Sequence, residues 1–256
     1  MLSVLILVIF DALMKLSSFF LSLLAVLLFL AGIALELSLS GASVWAEVEA
    51  AIFGTQTTTG GLNLACPLML SSSEAGVVST LITNSSDQQV SPLVITEISR
   101  GGASQSLSRT LLLAPHQDQT LQWSVDDSDL IFGRLILVNV VQSRYADLDP
   151  HRGFCGILVF DLFNLTGYES LVLILIGGFL LILVGGLLWS RLHAPLNELA
   201  EQTLKACGGL AGVTTIAVLT ALPRWWGLTL FLDAFALIML IVLFTDFLLF
   251  PGSGGK

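Results

Sequence analysis

The sequence predicts a membrane α + β protein: four transmembrane helices carrying an extracytoplasmic antiparallel β-sandwich, inserted between the first and second spans. Three observations lead there. Of 256 residues, 55% are hydrophobic and 11% charged, with a mean hydropathy of +0.90, whereas soluble domains carry ~25% charged residues. Four apolar stretches reach or approach the ~20 residues that a helix needs to cross ~30 Å of hydrocarbon. The formal charge of −9 is confined to residues 36–169, where five arginines stand against fourteen acids, while elsewhere five bases balance five acids. The composition excludes a soluble enzyme, a disordered tail and a nucleic-acid binder, and the charge partition leaves an electrically balanced apolar part joined to an acidic, water-facing one.

In chain order, Leu2 to Phe10 is apolar and is followed by Asp11 and Lys15. One helix over 2–37 would be ~54 Å long, too long for a single crossing. Residues 1–18 are therefore expected to form an interfacial helix with a bend near Ser17-Ser18, the alternative being one strongly tilted helix. The first span is 19–37. Val44-Trp45-Ala46 offers a small-residue cleavage pattern, but the apolar run before it is about twice the usual length for a signal peptide, which favours a retained anchor. Residues 38–63 read as a linker, in which Val44, Glu47, Glu49 and Ile52 permit a short helix before a loop from Thr55 to Gly61.

The second span, 170–189, is uncharged. In 190–206, Leu192, Leu196, Leu199 and Thr203 recur at helical spacing, which predicts an amphipathic helix on the cytoplasmic surface. The third span, 207–222, is short but uncharged, and the fourth, 227–250, contains Asp233 and Asp246 before a tail at 251–256. Gly177-Gly178 and Gly185-Gly186 fall on one helix face and Gly208 with Gly212 forms G-x-x-x-G, both patterns that let helices approach closely. Trp189, Trp225 and Trp226 fall where aromatic anchors sit. Lys15, Arg191, Lys205 and Lys256 share one side if there are four crossings, and among short loops only Arg224 opposes them. Both termini are thus expected in the cytoplasm of a plasma (inner) membrane protein, with 38–169 outside, since long domains translocate regardless of charge.

Between Cys66 and Phe160 the apolar pattern shortens to alternation. Expected strands are Val77 to Thr83, Leu93 to Ser99, Ser106 to Leu113, Thr120 to Val125, Gly133 to Gln142 and Gly153 to Phe160, with a seventh starting near Cys66. Asn84-Ser85-Ser86-Asp87, Gly101-Gly102, Ala114-Pro115 and Asp126-Asp127-Ser128-Asp129 supply the turns. Short strands with no helix between them argue for a sandwich over 64–165.

The stretch from Leu113 to Val125, L-A-P-H-Q-D-Q-T-L-Q-W-S-V, resembles the L-A-P-G-x-x-x-T-L-x-W-x-V segment of bacterial immunoglobulin-like modules of the CARDB type. The strand from Val78 to Asp87, ending T-N-S-S-D, is similar to their opening. His116 stands where those modules carry glycine. The resemblance covers about a third of the domain and implies a fold; such modules serve as adhesins, spacers and complex subunits alike. Cys66 and Cys155 bracket the domain and, outside the cytoplasm, are expected to form one disulfide; two unpaired buried thiols are the alternative. Cys207 reads as a packing residue.

Few residues suggest chemistry. Asp126, Asp127 and Asp129 could gather a hard cation, but they read first as a solvated turn. Asp147 and Asp149, with His151, form a polar loop before Cys155. These five aspartates mark a possible partner surface. His116, His151 and His193 are far apart in sequence, and no nucleophile elbow, zinc-protease or nucleotide-binding motif occurs. Asn84-Ser85-Ser86 and Asn164-Leu165-Thr166 fit the glycosylation sequon. Inside the membrane Asp233 stands out, with Thr214, Thr215 and Thr220 as candidate hydrogen-bond partners. The expected function is therefore non-enzymatic, without a cofactor or resident metal. The acidic module would bind or hold a partner in a membrane complex. Expected partners are the bilayer and other membrane or extracytoplasmic proteins, or a further copy, but not nucleic acid. A transport or channel component using Asp233 is the second expectation.

Overall fold

A computed structural model describes residues 2–54, 60–143, 150–194 and 198–249. Among the described residues there are four α-helices, α1 (Leu2–Ile52), α2 (Gly167–Leu192), α3 (Glu198–Ala221) and α4 (Trp226–Leu249). The strands are β1 (Gly60–Gly61), β2 (Leu64–Ala65), β3 (Met69–Leu70), β4 (Gly76–Thr83), β5 (Leu93–Arg100), β6 (Ala103–Thr110), β7 (Asp118–Val125), β8 (Leu135–Gln142) and β9 (His151–Val159). The chain divides into two compact units, Met1–Gly41 with Leu173–Lys256, and Ala42–Val172.

Four segments of the helices are long and apolar enough to cross a membrane, Phe19–Ile52, Gly167–Leu192, Ala200–Ala221 and Trp226–Leu243. Two boundaries differ from those read in the sequence. α1 runs unbroken through Ser17-Ser18 and on to Ile52, so neither a separate helix over 1–18 nor a linker starting at residue 38 is present. No proline interrupts it, so no backbone donor is missing from its ladder. α3 begins at Glu198 and continues to Ala221, merging most of the expected surface helix (190–206) with the third span. Gly208-Gly209 costs helix stability without removing a backbone donor, so it does not break the helix.

Among the described residues of the first unit, every helix contributes to a shared side-chain cluster: Ile33 of α1, Ile182 of α2, Leu210 of α3 and Ala236 of α4. α1 and α2 meet through glycine. A Cβ at Gly32 would lie 2.7 Å from the Gly178 carbonyl, and one at Gly185 would lie 2.7 Å from the Ala25 carbonyl. Of the glycines singled out in the sequence, Gly178 and Gly185 are therefore at a close approach. Gly177, Gly186, Gly208 and Gly212 face open space within the chain. The two that pack, Gly178 and Gly185, are spaced by seven residues, two helical turns. α3 ends in a Schellman motif: Trp225 N–H donates to the Thr220 carbonyl (3.1 Å) and Arg224 N–H to that of Ala221 (3.0 Å), with Arg224 at φ 62° in the position that usually takes glycine.

The second unit contains two sheets. The larger runs β1-β9-β8-β5-β6, with β3 also paired to β9, and the smaller runs β2-β4-β7. The expected antiparallel sheet is mixed, because β1 and β3 lie parallel to β9. These are two-residue pairings along the edge of β9 that β8 leaves open. Gly101 and Gly102, at φ 53° and 89°, close a two-residue turn between paired Arg100 and Ala103. Both central positions need positive φ, which selects glycine, and β6 consequently starts three residues before the expected Ser106.

The sheets share one core, drawing Val78 and Ile82 from β4, Leu121 and Val125 from β7, Val94 and Ile98 from β5, and Ile136, Val138 and Val140 from β8. β8 is buried at all eight positions, because its other face is covered as well. There the C-terminal end of α1 lies on the sheet, with Val44, Ala46 and Ala50 buried and Ala46 against Gly156 of β9. Arg152 fastens the helix end: Nη2 donates to the carbonyls of Ala51 and Phe53, both at 2.9 Å, and Nε to Asn139 Oδ1 at 2.7 Å. A cation on the last carbonyls of a helix is favoured by the helix dipole. Asn139 in turn donates to Glu97 (3.0 Å).

α2 begins in a capping box. Thr166 N–H donates to Glu169 Oε2 (2.9 Å) while Glu169 N–H donates to Thr166 Oγ1 (3.3 Å). Replacing Thr166 with alanine should therefore cost ~1 kcal/mol. Chemical unfolding of the purified chain in detergent checks this, and an unchanged midpoint would contradict it.

Candidate functional site

In the helical unit the buried polar groups come from three helices. Asp233 of α4 accepts a hydrogen bond from Ser40 Oγ of α1 (2.8 Å). One turn before Ser40, Glu36 accepts from Thr215 Oγ1 of α3 (3.4 Å). Thr214 donates to the Ala211 carbonyl of its own helix (3.0 Å), and the hydroxyls of Thr220 and Thr229 meet at 3.0 Å. Glu36 and Asp233 are only 4% and 8% exposed. Burying a carboxylate is costly unless it is protonated or paired, and each of the two has a hydroxyl donor that offsets part of that cost.

The threonines named from the sequence are thus not the partners of Asp233. Ser40 is, and Thr215 serves Glu36. Glu36 and Ser40 went unrecognised because a span ending at Leu37 turns Glu36 into a boundary charge. The signal lay in the spacing: Glu36, Ser40, Ser43 and Glu47 recur at i, i+4, i+7 and i+11, on one face of the helix, with Ser38 the one other polar side chain of that stretch. All four are buried. Chemically, two carboxyls of this unit are buried among the described residues, each with a hydroxyl donor, so each can bind a proton or accept a donor from elsewhere.

In the sandwich unit the Asp126-Asp127-Ser128-Asp129 turn is a short 3-10 helix capped by Asp126. Asp126 Oδ1 accepts from the Ser128 N–H (2.9 Å) and hydroxyl (2.6 Å), and Asp126 N–H donates to Asp129 Oδ2 (3.2 Å). Ser99 Oγ donates to the Asp129 carbonyl (2.6 Å) and accepts from Leu137 N–H (2.9 Å), which ties the turn to β5 and β8. Two of the three aspartates are therefore engaged in the turn, and Asp127 is exposed. Asp147 and Asp149 lie outside the described residues.

Hydrogen bonds from Ser128 hold the Asp126 carboxyl below the usual carboxylate range, and the Ser72 N–H does the same for Asp161. Burial pushes Asp129 the other way. A depressed native pKa contributes stability that is present above the unfolded value of ~3.9 and lost as pH falls through the native value. Asp129 has the opposite sign. Asp126→Asn keeps an acceptor for Ser128 but removes the charge, so the stability gap between wild type and variant should be constant above about pH 5 and close below it. Melting curves across pH test this; a gap independent of pH would contradict it.

Cys66 and Cys155 are joined by a disulfide, with sulfurs 2.03 Å apart, and Cys207 is a free thiol in α3. Asn84, in the T-N-S-S-D segment, is fully buried, and its Nδ2 donates to the carbonyls of Gln88 and Ala114, both at 2.8 Å. Its amide organises the loop after β4 and is not accessible for a glycan. His116 has φ 55°, the conformation that glycine adopts without strain, and its Nε2 lies 2.9 Å from Asp87 Oδ1.

No family model matches the chain, and no curated protein matches it. Among solved structures similar to it is a CARDB domain from Pyrococcus furiosus in complex with di-metal ions, at 11% identity and a TM-score of 0.31, covering 41% of this chain and 95% of that one. Red sea bream transglutaminase is similar at 14% identity and a TM-score of 0.32, covering 41% of this chain and 15% of that one. A β-glucosidase from Listeria innocua is similar at 16% identity and a TM-score of 0.31, covering 43% of this chain and 17% of that one. This chain thus spans under a fifth of either enzyme.

Proposed function

We propose that the chain is a non-enzymatic integral membrane protein whose helices anchor an acidic immunoglobulin-like module, and that the module binds or holds a partner within a membrane complex. The observation that carries this reading is the charge partition. All of the net −9 falls in 36–169, most of it in the sandwich unit. The helical unit exposes large apolar side chains such as Phe179, Leu187 and Phe231, which suit hydrocarbon. In this reading the sandwich lies between the first and second spans on the extracytoplasmic side of the plasma (inner) membrane, and both termini are cytoplasmic. The recognised face of the partner is basic, or is reached through divalent cations, because an acidic surface steers the opposite charge. Purification in mild detergent should recover a stoichiometric partner or a self-oligomer that dissociates at high salt. A monomer without a partner would count against the proposal.

A second reading is favoured by one observation: Asp233 does not stand alone, since Glu36 is buried in the same unit and both carboxyls have hydroxyl donors. Such a pair suits a proton- or cation-linked transport component. If Asp233→Asn left every measured flux unchanged, this reading would fall.

A further inference from the structure

The two sheets of the sandwich differ in width. β7 is the last strand of the smaller sheet and β6 the last of the larger one. Between these two edges lies an open cleft of about 310 Å³, lined by Leu107 and Arg109 of β6, Leu121, Gln122 and Trp123 of β7, and Val94. Arg109 is paired with Val94 and Leu107 with Thr96. Val94 and Thr96 are buried, and partners in an antiparallel pair share a face. Leu107 and Arg109 therefore project from the core side of β6. The smaller sheet supplies no strand opposite them among the described residues, and Leu107 is 42% exposed.

The backbone of β7 is available on that side. The bond from Asn84 N–H to the Gln117 carbonyl (3.0 Å) fixes the phase of the β4–β7 ladder, because bonded and non-bonded pairs alternate. With the printed register, Gln119, Leu121, Trp123 and Val125 bond to β4. Thr120, Gln122 and Ser124 then direct their N–H and C=O groups away from it. Natural edges of this length are commonly blunted with lysine, proline or a bulge. β7 has none of these residues and one charged side chain, Asp118. The Arg109 guanidinium is a cation in a unit of net negative charge; its backbone pairs with Val94, while the side chain has no hydrogen bond or ion pair among the described residues.

From this we propose that the edge of β7 captures an extended segment of a partner protein as a fourth strand of the smaller sheet. Apolar side chains at alternate positions would fill the cleft over Leu107 and Trp123, and one acidic side chain would meet Arg109. The ladder supplies affinity and the alternate side chains supply specificity. A basic residue at the Arg109 position would place two cations together, so the occupant carries a carboxylate there even where its protein is basic elsewhere. This deepens the partner-binding reading and rests on it.

The test uses the full chain in detergent micelles and an array of linear peptides alternating valine and threonine, with one aspartate moved along the sequence. Binding should peak at one aspartate position, weaken roughly tenfold or more with Arg109→Glu, and disappear when the peptide is N-methylated at alternate residues. Amide exchange should slow at Thr120, Gln122 and Ser124. Gln122→Pro, which removes an N–H outside the β4 ladder, should abolish binding while an unchanged melting temperature shows that the fold persists. No binding across the array, binding indifferent to Arg109→Glu, protection confined to β6, or occupation of the edge by a second copy would each overturn the proposal. A salt-sensitive complex with a co-purified partner that ignores both variants would overturn it while leaving the partner-binding reading in place.

Discussion

Replacing Cys66 and Cys155 together with alanine is expected to destabilise the sandwich unit by up to ~4–5 kcal/mol, because the bond closes a long loop and limits the unfolded chain. The two cysteines are 89 residues apart, so nearly the whole sandwich lies inside the loop. Cys155 is fully buried in the shared core, which adds a small packing loss of order 1 kcal/mol for the atoms removed. The entropic effect is the larger of the two. For a unit of this size ~4 kcal/mol corresponds to a melting temperature lower by at least ~10 °C. Reducing the wild-type protein should reproduce most of that shift without any mutation. The measurement is thermal unfolding of full-length protein in detergent, followed by near-ultraviolet circular dichroism. A shift below ~3 °C for both the variant and the reduced protein would show that the cross-link adds little. A bond of this kind also belongs to oxidising compartments, so thiol labelling of protein retained in the cytosol should find both cysteines free.

The sequence made the apolar segments and the longer strands legible because each carries its own periodicity. β4 alternates buried and exposed over Val77 to Thr83, and the edges of β7 fall near the expected ones. What stayed hidden depends on packing between elements. Nothing local marks Ala42 to Ile52 as the cover of a sheet; a short amphipathic stretch reads as a linker until Gly156 and Arg152, about 100 residues later, supply the surface it lies on. The parallel strands β1 and β3 are two residues each, too short to leave a pattern. The bundle's polar pair was half legible. Asp233 is conspicuous inside an apolar run, whereas Glu36 near the end of a nineteen-residue span looks like an interfacial charge. Only the true length of α1 turns it into a buried one. Among the glycines, doublets at 177–178 and 185–186 announce a close approach, but which member of each doublet faces α1 is decided by the crossing, which brings Gly178 and Gly185 inward.

Gly156→Val is expected to cost ~3 kcal/mol, at the upper end of what overpacking usually produces, and to do so in one place. Gly156 sits in the middle of β9, paired with Leu137 of β8. A Cβ there would run into the carbonyl and Cβ of Ala46, and Ala46 is 1% exposed. The obstacle is helix backbone, so no side-chain rotation relieves it; either α1 lifts from the sheet or β9 bends. The helix is poorly free to lift, because Arg152 holds its last carbonyls and is itself held by Asn139. β9 is poorly free to bend, because it is paired along its length with β8. The helix contact is the weaker of the two restraints, since a β-ladder of this length breaks only with the whole sheet. Amide exchange should therefore accelerate over residues 43–52 while β8 and β9 keep their protection. Gly156→Ala should show the same pattern at smaller amplitude, the graded response expected of a steric cause. Uniform loss of protection across the sandwich, or a cost below ~1 kcal/mol for valine, would mean that α1 is not closely seated on β9, and the burial of both faces of β8 would need another explanation.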